Sequence, residues 1–117
     1  MASVLAYALT ACRGQPTALV GDMTCPEDDS NCEGVPPSFS AAVLPIIRSN
    51  CNGCHIGGGV AADRPLTTYA QVVKLERSTF NAVYSCVMPP AYDTVDQLTM
   101  AQRNTLLQWL ACGAPDN

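Results

Sequence analysis

The chain has 117 residues, of which 14% are charged and 6% aromatic. That length suits one domain and not two. The formal net charge is −4, and no run or face concentrates Lys and Arg, so nucleic acid is excluded as a partner. The acids are unevenly placed: Asp22, Glu27, Asp28, Asp29 and Glu33 outweigh Arg13 in residues 13–37. From residue 38 onward Arg48, Arg64, Lys74, Arg77 and Arg103 balance Asp63, Glu76, Asp93, Asp96 and Asp116.

Residues 1–11, MASVLAYALTA, are apolar and uncharged, and too short to span a bilayer. They read as the apolar part of an export signal, or more plainly as a buried N-terminal helix. Leu9-Thr10-Ala11-Cys12 looks like a bacterial lipobox, with Cys12 as the lipidated first residue of the mature chain. The missing Lys or Arg before the apolar run departs from that pattern. Two acyl chains at Cys12 would hold the protein firmly on a membrane, where one would not.

Residues 12–37 are rich in Pro, Gly, Asp and small side chains, with no helical or alternating apolar period. They read as an acidic tether. Cys25 and Cys32 bracket its most acidic part, and a bond between them would close a small loop. The loop could instead serve as a cation site, but a solvated, self-repelling linker is the simpler reading.

The folded domain is expected from residue 38 to 117. Phe39, Val43, Ile46 and Ile47 recur at helical spacing, and Pro45 is tolerable only near that helix's start or at a kink. The helix delivers the chain to Cys51-Asn52-Gly53-Cys54-His55, a C-x-x-C-H signature of covalent c-type haem attachment. Each residue type has a chemical reason: two thiols add to the haem vinyl groups, and the adjoining imidazole can reach the iron as axial ligand. Asn52 and Gly53 let the backbone run close to the porphyrin.

C-x-x-C alone would also fit a dithiol redox pair or half a zinc site. The chain has no βαβ pattern for the first and no second ligand pair for the second, and His55 is the only histidine. A haem at the motif would also add a large apolar plate to the core of a small domain.

Gly57-Gly58-Gly59 permits a reversal or a close approach, and Asp63-Arg64-Pro65 has turn chemistry. Arg64 or Arg77 could pair with a haem propionate, though a solvated arginine is the plainer reading of each. A helix over residues 67–75 starts at Thr67 or Thr68 and lines up Tyr69, Val72 and Val73. Residues 80–87 are apolar and suit a helix or an extended strand.

Met88-Pro89-Pro90 follows. A haem held by one histidine has a sixth position, and with no second histidine a methionine thioether is the usual alternative. Met23 lies in the tether and Met100 in a helix's first turn, where core packing accounts for it. Met88 sits in a loop that two prolines stiffen, which lowers the entropy cost of holding a weak ligand.

Residues 98–111 make the strongest helix: Thr99 as N-cap with Gln102 as its capping-box partner, a stripe of Leu106, Leu107 and Leu110, and Trp109 beside it. Gly113 suits the position after the helix and Pro115 blocks its continuation. The chain has seven cysteines. With Cys51 and Cys54 on haem and Cys12 lipidated, pairing Cys25 with Cys32 and Cys86 with Cys112 accounts for the rest and implies an oxidising compartment. Free buried thiols are the alternative, since spacing does not give connectivity.

Residues 39–115 thus resemble a bacterial monohaem c-type cytochrome domain, through the entry helix, C-x-x-C-H, Met-Pro-Pro, and a last helix reading Leu-Leu-x-Trp-Leu-x-Cys-Gly-Ala. The resemblance implies an all-α, class I cytochrome c-like fold of three to five helices around one haem c. It implies His55 and Met88 as iron ligands and Cys51 and Cys54 as thioethers. The expected function is one-electron transfer without catalysis, with transient redox-protein partners, at the periplasmic side of a membrane. The competing functions are a haem-based sensor with an open sixth position, an electron-accepting subunit of a redox enzyme, and a haem-free thiol oxidoreductase at Cys51 and Cys54.

Overall fold

Pro45 shapes how the first helix begins. Ser38 caps it, its hydroxyl accepting from the Ala41 N–H at 3.1 Å. The opening turn, Phe39–Val43, is π-helical: the Val43 N–H reaches back to the Ser38 carbonyl at 3.1 Å, and the Leu44 N–H to that of Phe39. Proline has no N–H to donate to the ladder, and the wider π turn ends where helix α1, Leu44–Asn50, takes over with Pro45 in its first turn. Phe39, Val43, Ile46 and Ile47 are all buried, as their spacing predicts.

The computed structural model describes residues 25, 31–90 and 96–117. The expected export signal at 1–11, Cys12 and Met23 lie outside them. Among the described residues every regular element is helical, in accord with the all-α expectation. No described helix is long and apolar enough to cross a membrane. After α1 come α2, Tyr69–Lys74, α3, Glu76–Tyr84, and α4, Met100–Ala111.

Local chemistry sets the helix ends. Thr68 with Gln71, and Thr99 with Gln102, form complete capping boxes at the starts of α2 and α4. Both α3 and α4 end in the paired backbone bonds of a Schellman turn. In α4 the Ala114 N–H returns to Trp109 O and the Gly113 N–H to Leu110 O, with Gly113 at φ 90°. In α3 the Val87 N–H returns to Ala82 O and the Cys86 N–H to Val83 O. There the left-handed position falls on Cys86, at φ 60°, a conformation unfavourable for a side chain with a Cβ.

The π turn and α3 both pack on α4. Trp109 of α4 is fully buried, with ring centroids 5.3 Å from Phe39 of the π turn and 6.4 Å from Tyr69 of α2. Its indole N–H donates to Pro115 O at 2.9 Å, and the Tyr69 hydroxyl donates to Ala114 O at 2.7 Å. The C-terminal tail returns to the start of the fold, where Asn117 Oδ1 accepts from the Phe39 N–H at 2.8 Å.

One residue of α4 differs from expectation. Met100 does not pack in the core but is 51% exposed, because the first turn of α4 precedes its buried stripe. Arg103, one turn on, is buried: it donates to Tyr84 O at 2.9 Å, and its guanidinium lies 5.9 Å from the Tyr84 ring centroid. It thereby satisfies a carbonyl of the last turn of α3.

The four expected cysteines form disulfides, but with different partners from those expected. Cys25 bonds Cys86 and Cys32 bonds Cys112. Cys86 and Cys112 each terminate a different helix, and each meets the incoming N-terminal segment. Gln108 holds that segment beside α4, accepting from the Glu33 N–H at 3.0 Å and donating to Asn31 O at 2.7 Å. The described part of the tether is therefore stapled to the helices and not to itself.

The Cys32–Cys112 bond spans 80 residues of sequence. In the chain-entropy account, loss of such a cross-link costs about 4 kcal/mol. The Cys32→Ala/Cys112→Ala double variant should lose about that much unfolding free energy in guanidinium titration, and non-reducing peptide mapping of the native protein should recover the Cys25–Cys86 and Cys32–Cys112 pairs.

Candidate functional site

At the end of α1 the chain turns tightly. The Cys54 and His55 N–H groups both reach back to Cys51 O, at 3.2 and 2.9 Å. This turn brings Cys51, Cys54 and His55 onto one wall of a cavity. Ser78, Thr79, Ala82 and Val83 of α3 form a second wall, and Val87, Met88, Pro89 and Pro90 a third, with Leu66, Leu75 and Leu98 completing the apolar lining. The cavity volume is about 190 Å³, below the roughly 300–1,000 Å³ of a typical small-molecule or cofactor site, and it opens to solvent at its mouth.

His55 is half-buried, and its Nδ1 lies 2.7 Å from Arg64 O. A carbonyl only accepts, so Nδ1 carries the proton and Nε2 keeps its lone pair. A backbone carbonyl on the far nitrogen is the usual support for a metal-binding imidazole, fixing its tautomer and orientation.

The loop that supplies this carbonyl depends on Gly59. A Cβ there would collide with Cys54 O, which accepts from the Ala61 N–H at 3.0 Å. Gly59, the last of the glycine run, thus serves a close approach to the chain's own backbone. The run is uncharged and presents Ile56 and Val60 to solvent.

Met88 is half-buried on the opposite loop. Its N–H and that of Val87 share Ala82 O, at 3.0 and 2.9 Å, so the end of α3 fixes the methionine's backbone. Pro89 and Pro90 behind it are buried. The expected ligand pair, His55 and Met88, and both motif cysteines therefore line a single cavity. Cys25, Cys32, Cys86 and Cys112 do not line it.

The two motif sulfurs differ in state. Cys51 is the free thiol among the described residues, and burial pushes its pKa up from 9.0 to about 11. A reactive dithiol needs the reverse, a thiolate favoured near neutrality, which weighs against a thioredoxin-type role. Cys54 is disulfide-bonded. Among the described residues no three His, Cys, Asp or Glu side chains converge as a metal-holding group, so a zinc site gains no support. A haem iron would not call for such a cluster, since the porphyrin supplies most of its ligands.

Sequence reasoning missed three contributors: the Arg64 carbonyl, Asn50 and Gln97. A backbone carbonyl leaves no residue signature. Asn50 precedes Cys51, yet its partners, the carbonyls of Asp96 and Gln97 at 3.2 and 3.4 Å, lie far away in sequence. Arg64 itself is exposed, with its guanidinium 3.9 Å from Asp63.

No family model, curated protein or solved structure matches the chain.

Gly59→Ala should destabilise the fold by about 1–3 kcal/mol, the usual cost of forcing atoms into filled space, as read by urea unfolding. In the haem-free protein, iodoacetamide labelling of Cys51 should reach half its limiting rate near pH 11 and not near 9. Because burial favours the neutral thiol, its contribution to stability is fully present below pH 9 and is lost as pH rises through about 11.

Proposed function

We propose that this protein is a one-electron carrier with a covalently attached haem c, Cys51 and Cys54 being the thioether residues and His55 and Met88 the axial ligands. The observation that carries this reading is the His55 ring: the Arg64 carbonyl takes up Nδ1, which leaves Nε2 available in a cavity that Met88 also lines. The residues present fit the group. Imidazole nitrogen and thioether sulfur are a known axial pair for electron-transfer haems, and the lining between them is largely apolar. The packing of the entry turn on the last helix is compatible with the class I arrangement that the motifs imply.

When bound, the haem supplies an iron that alternates between ferric and ferrous states. The chain's part is to hold His55 in one tautomer, to keep Met88 on a short loop tied to α3, and to exclude water with the leucines and prolines around them. Held by these contacts, His55 and Met88 would keep reorganisation on electron transfer small. No acid–base pair is required, and the reading is of a carrier and not of a catalyst. Partners dock transiently over a small surface.

Thioether formation needs the Cys54 sulfur as a thiol, so its disulfide and haem attachment are alternative fates of one atom. The Cys25–Cys86 and Cys32–Cys112 bonds favour an oxidising compartment, which supports export to the periplasm or the outer face of a bacterial membrane. Lipidation at Cys12 belongs to the same proposal and would keep the carrier beside its redox partners.

The test is the optical spectrum of protein made with c-type haem maturation. The native protein should retain its haem through acid–organic extraction and show sharp low-spin bands, with a weak far-red sulfur-to-iron band when oxidised. Met88→Ala should lose the far-red band and become open to carbon monoxide when reduced. Extractable haem, or a native spectrum already high-spin and unchanged in Met88→Ala, would overturn the proposal.

A further inference from the structure

The histidine wall and the methionine wall of the cavity come from separate stretches of chain, and a hydrogen-bonded strap joins them at Gln97. The main chain of Gln97 is held from the histidine side: Asn50, the residue before Cys51, donates through Nδ2 to Gln97 O at 3.4 Å and to Asp96 O at 3.2 Å. The side chain of Gln97 then reaches the methionine side, its Nε2 donating to Pro90 O at 2.6 Å. Pro90 is two residues from Met88 and is buried. The Asn50 amide orientation follows from its partners, since both are carbonyls and only its nitrogen can donate.

From this juxtaposition we infer that Gln97 is a positioning residue, which holds the Met88 loop at a set height across the cavity from His55. The inference rests on the His55/Met88 reading above and names a residue that controls it. Among the described residues the Met88 loop has one hydrogen-bonded anchor at each end. Ala82 O holds the N–H groups of Val87 and Met88, and Gln97 holds the carbonyl of Pro90. Pro89 and Pro90 have no N–H with which to make a further backbone bond, so loss of the Gln97 contact leaves the far end of the loop without its anchor. A methionine is a weak ligand, and small changes in loop freedom then appear as changes in how readily another ligand displaces it.

The test uses the haem-loaded protein and imidazole as the competing ligand for ferric iron, read by loss of the far-red band. Gln97→Leu and Gln97→Glu both remove the donor at neutral pH, the second keeping the side-chain length. Each should bind imidazole about three- to tenfold more tightly than the native protein, the range expected for losing one hydrogen bond that favours the closed loop. Asn50→Asp should shift affinity in the same direction. Tyr69→Phe, which removes a bond to the tail far from the cavity, should lower thermal stability and leave imidazole affinity unchanged. If the native protein shows the far-red band and both Gln97 variants keep native imidazole affinity, the positioning role is overturned while methionine ligation stands. A native protein without the band overturns the ligation reading, and this inference with it.

Discussion

A buried indole must find a partner for its N–H, and the way Trp109 finds one governs the rest of this fold. Its partner is Pro115 O, a group that reaches the indole only if the chain reverses straight after α4. The Schellman turn at Gly113 makes that reversal, and the tail then delivers Asn117 to Phe39. Phe39 and Tyr69 close on the indole from the entry turn and from α2. One polar atom in an apolar setting thus joins the two ends of the domain. An unpaired N–H there would cost about 1–3 kcal/mol, which is large beside the net stability of a small domain.

The cavity lies away from this junction and is built on a different principle. Its walls meet through main-chain carbonyls: that of Arg64 behind His55, that of Ala82 beneath Met88, and that of Pro90 under Gln97. Carbonyls placed by short turns are stiff supports, since they carry no rotamers of their own. Most side chains facing the space are apolar, with Asn50, Arg64, Ser78 and Thr79 as the polar part of its lining. Arg103 contributes at one remove, by fixing the end of α3 from which the Met88 loop departs.

Much of this was legible from the residues. The apolar spacing before Cys51, the two capping boxes and the Gly113 turn were readable because each rests on contacts within a few positions of sequence. The gathering of Cys51, Cys54, His55 and Met88 was readable because two motifs with complementary chemistry implied one shared site. Disulfide partners were not readable: Cys25 lies close to Cys32 in sequence, yet each meets a different helix end, and no local pattern encodes that choice. Arg103 carried no sign of burial, because its partner is a main-chain carbonyl on another helix. Met100 matched a core reading by residue type alone, and the actual register of α4 turns it outward.

The crossed disulfides also bear on the order in which the chain is made. A polypeptide emerges from its N-terminus, so Cys25 meets Cys32 long before Cys86 or Cys112 exists. The pairing nearest in time is the one the folded domain does not use. A Cys25–Cys32 bond closed early in an oxidising compartment would have to be reopened by thiol–disulfide exchange once α3 and α4 have arrived, and an agent that reshuffles disulfides would then speed assembly of this small domain.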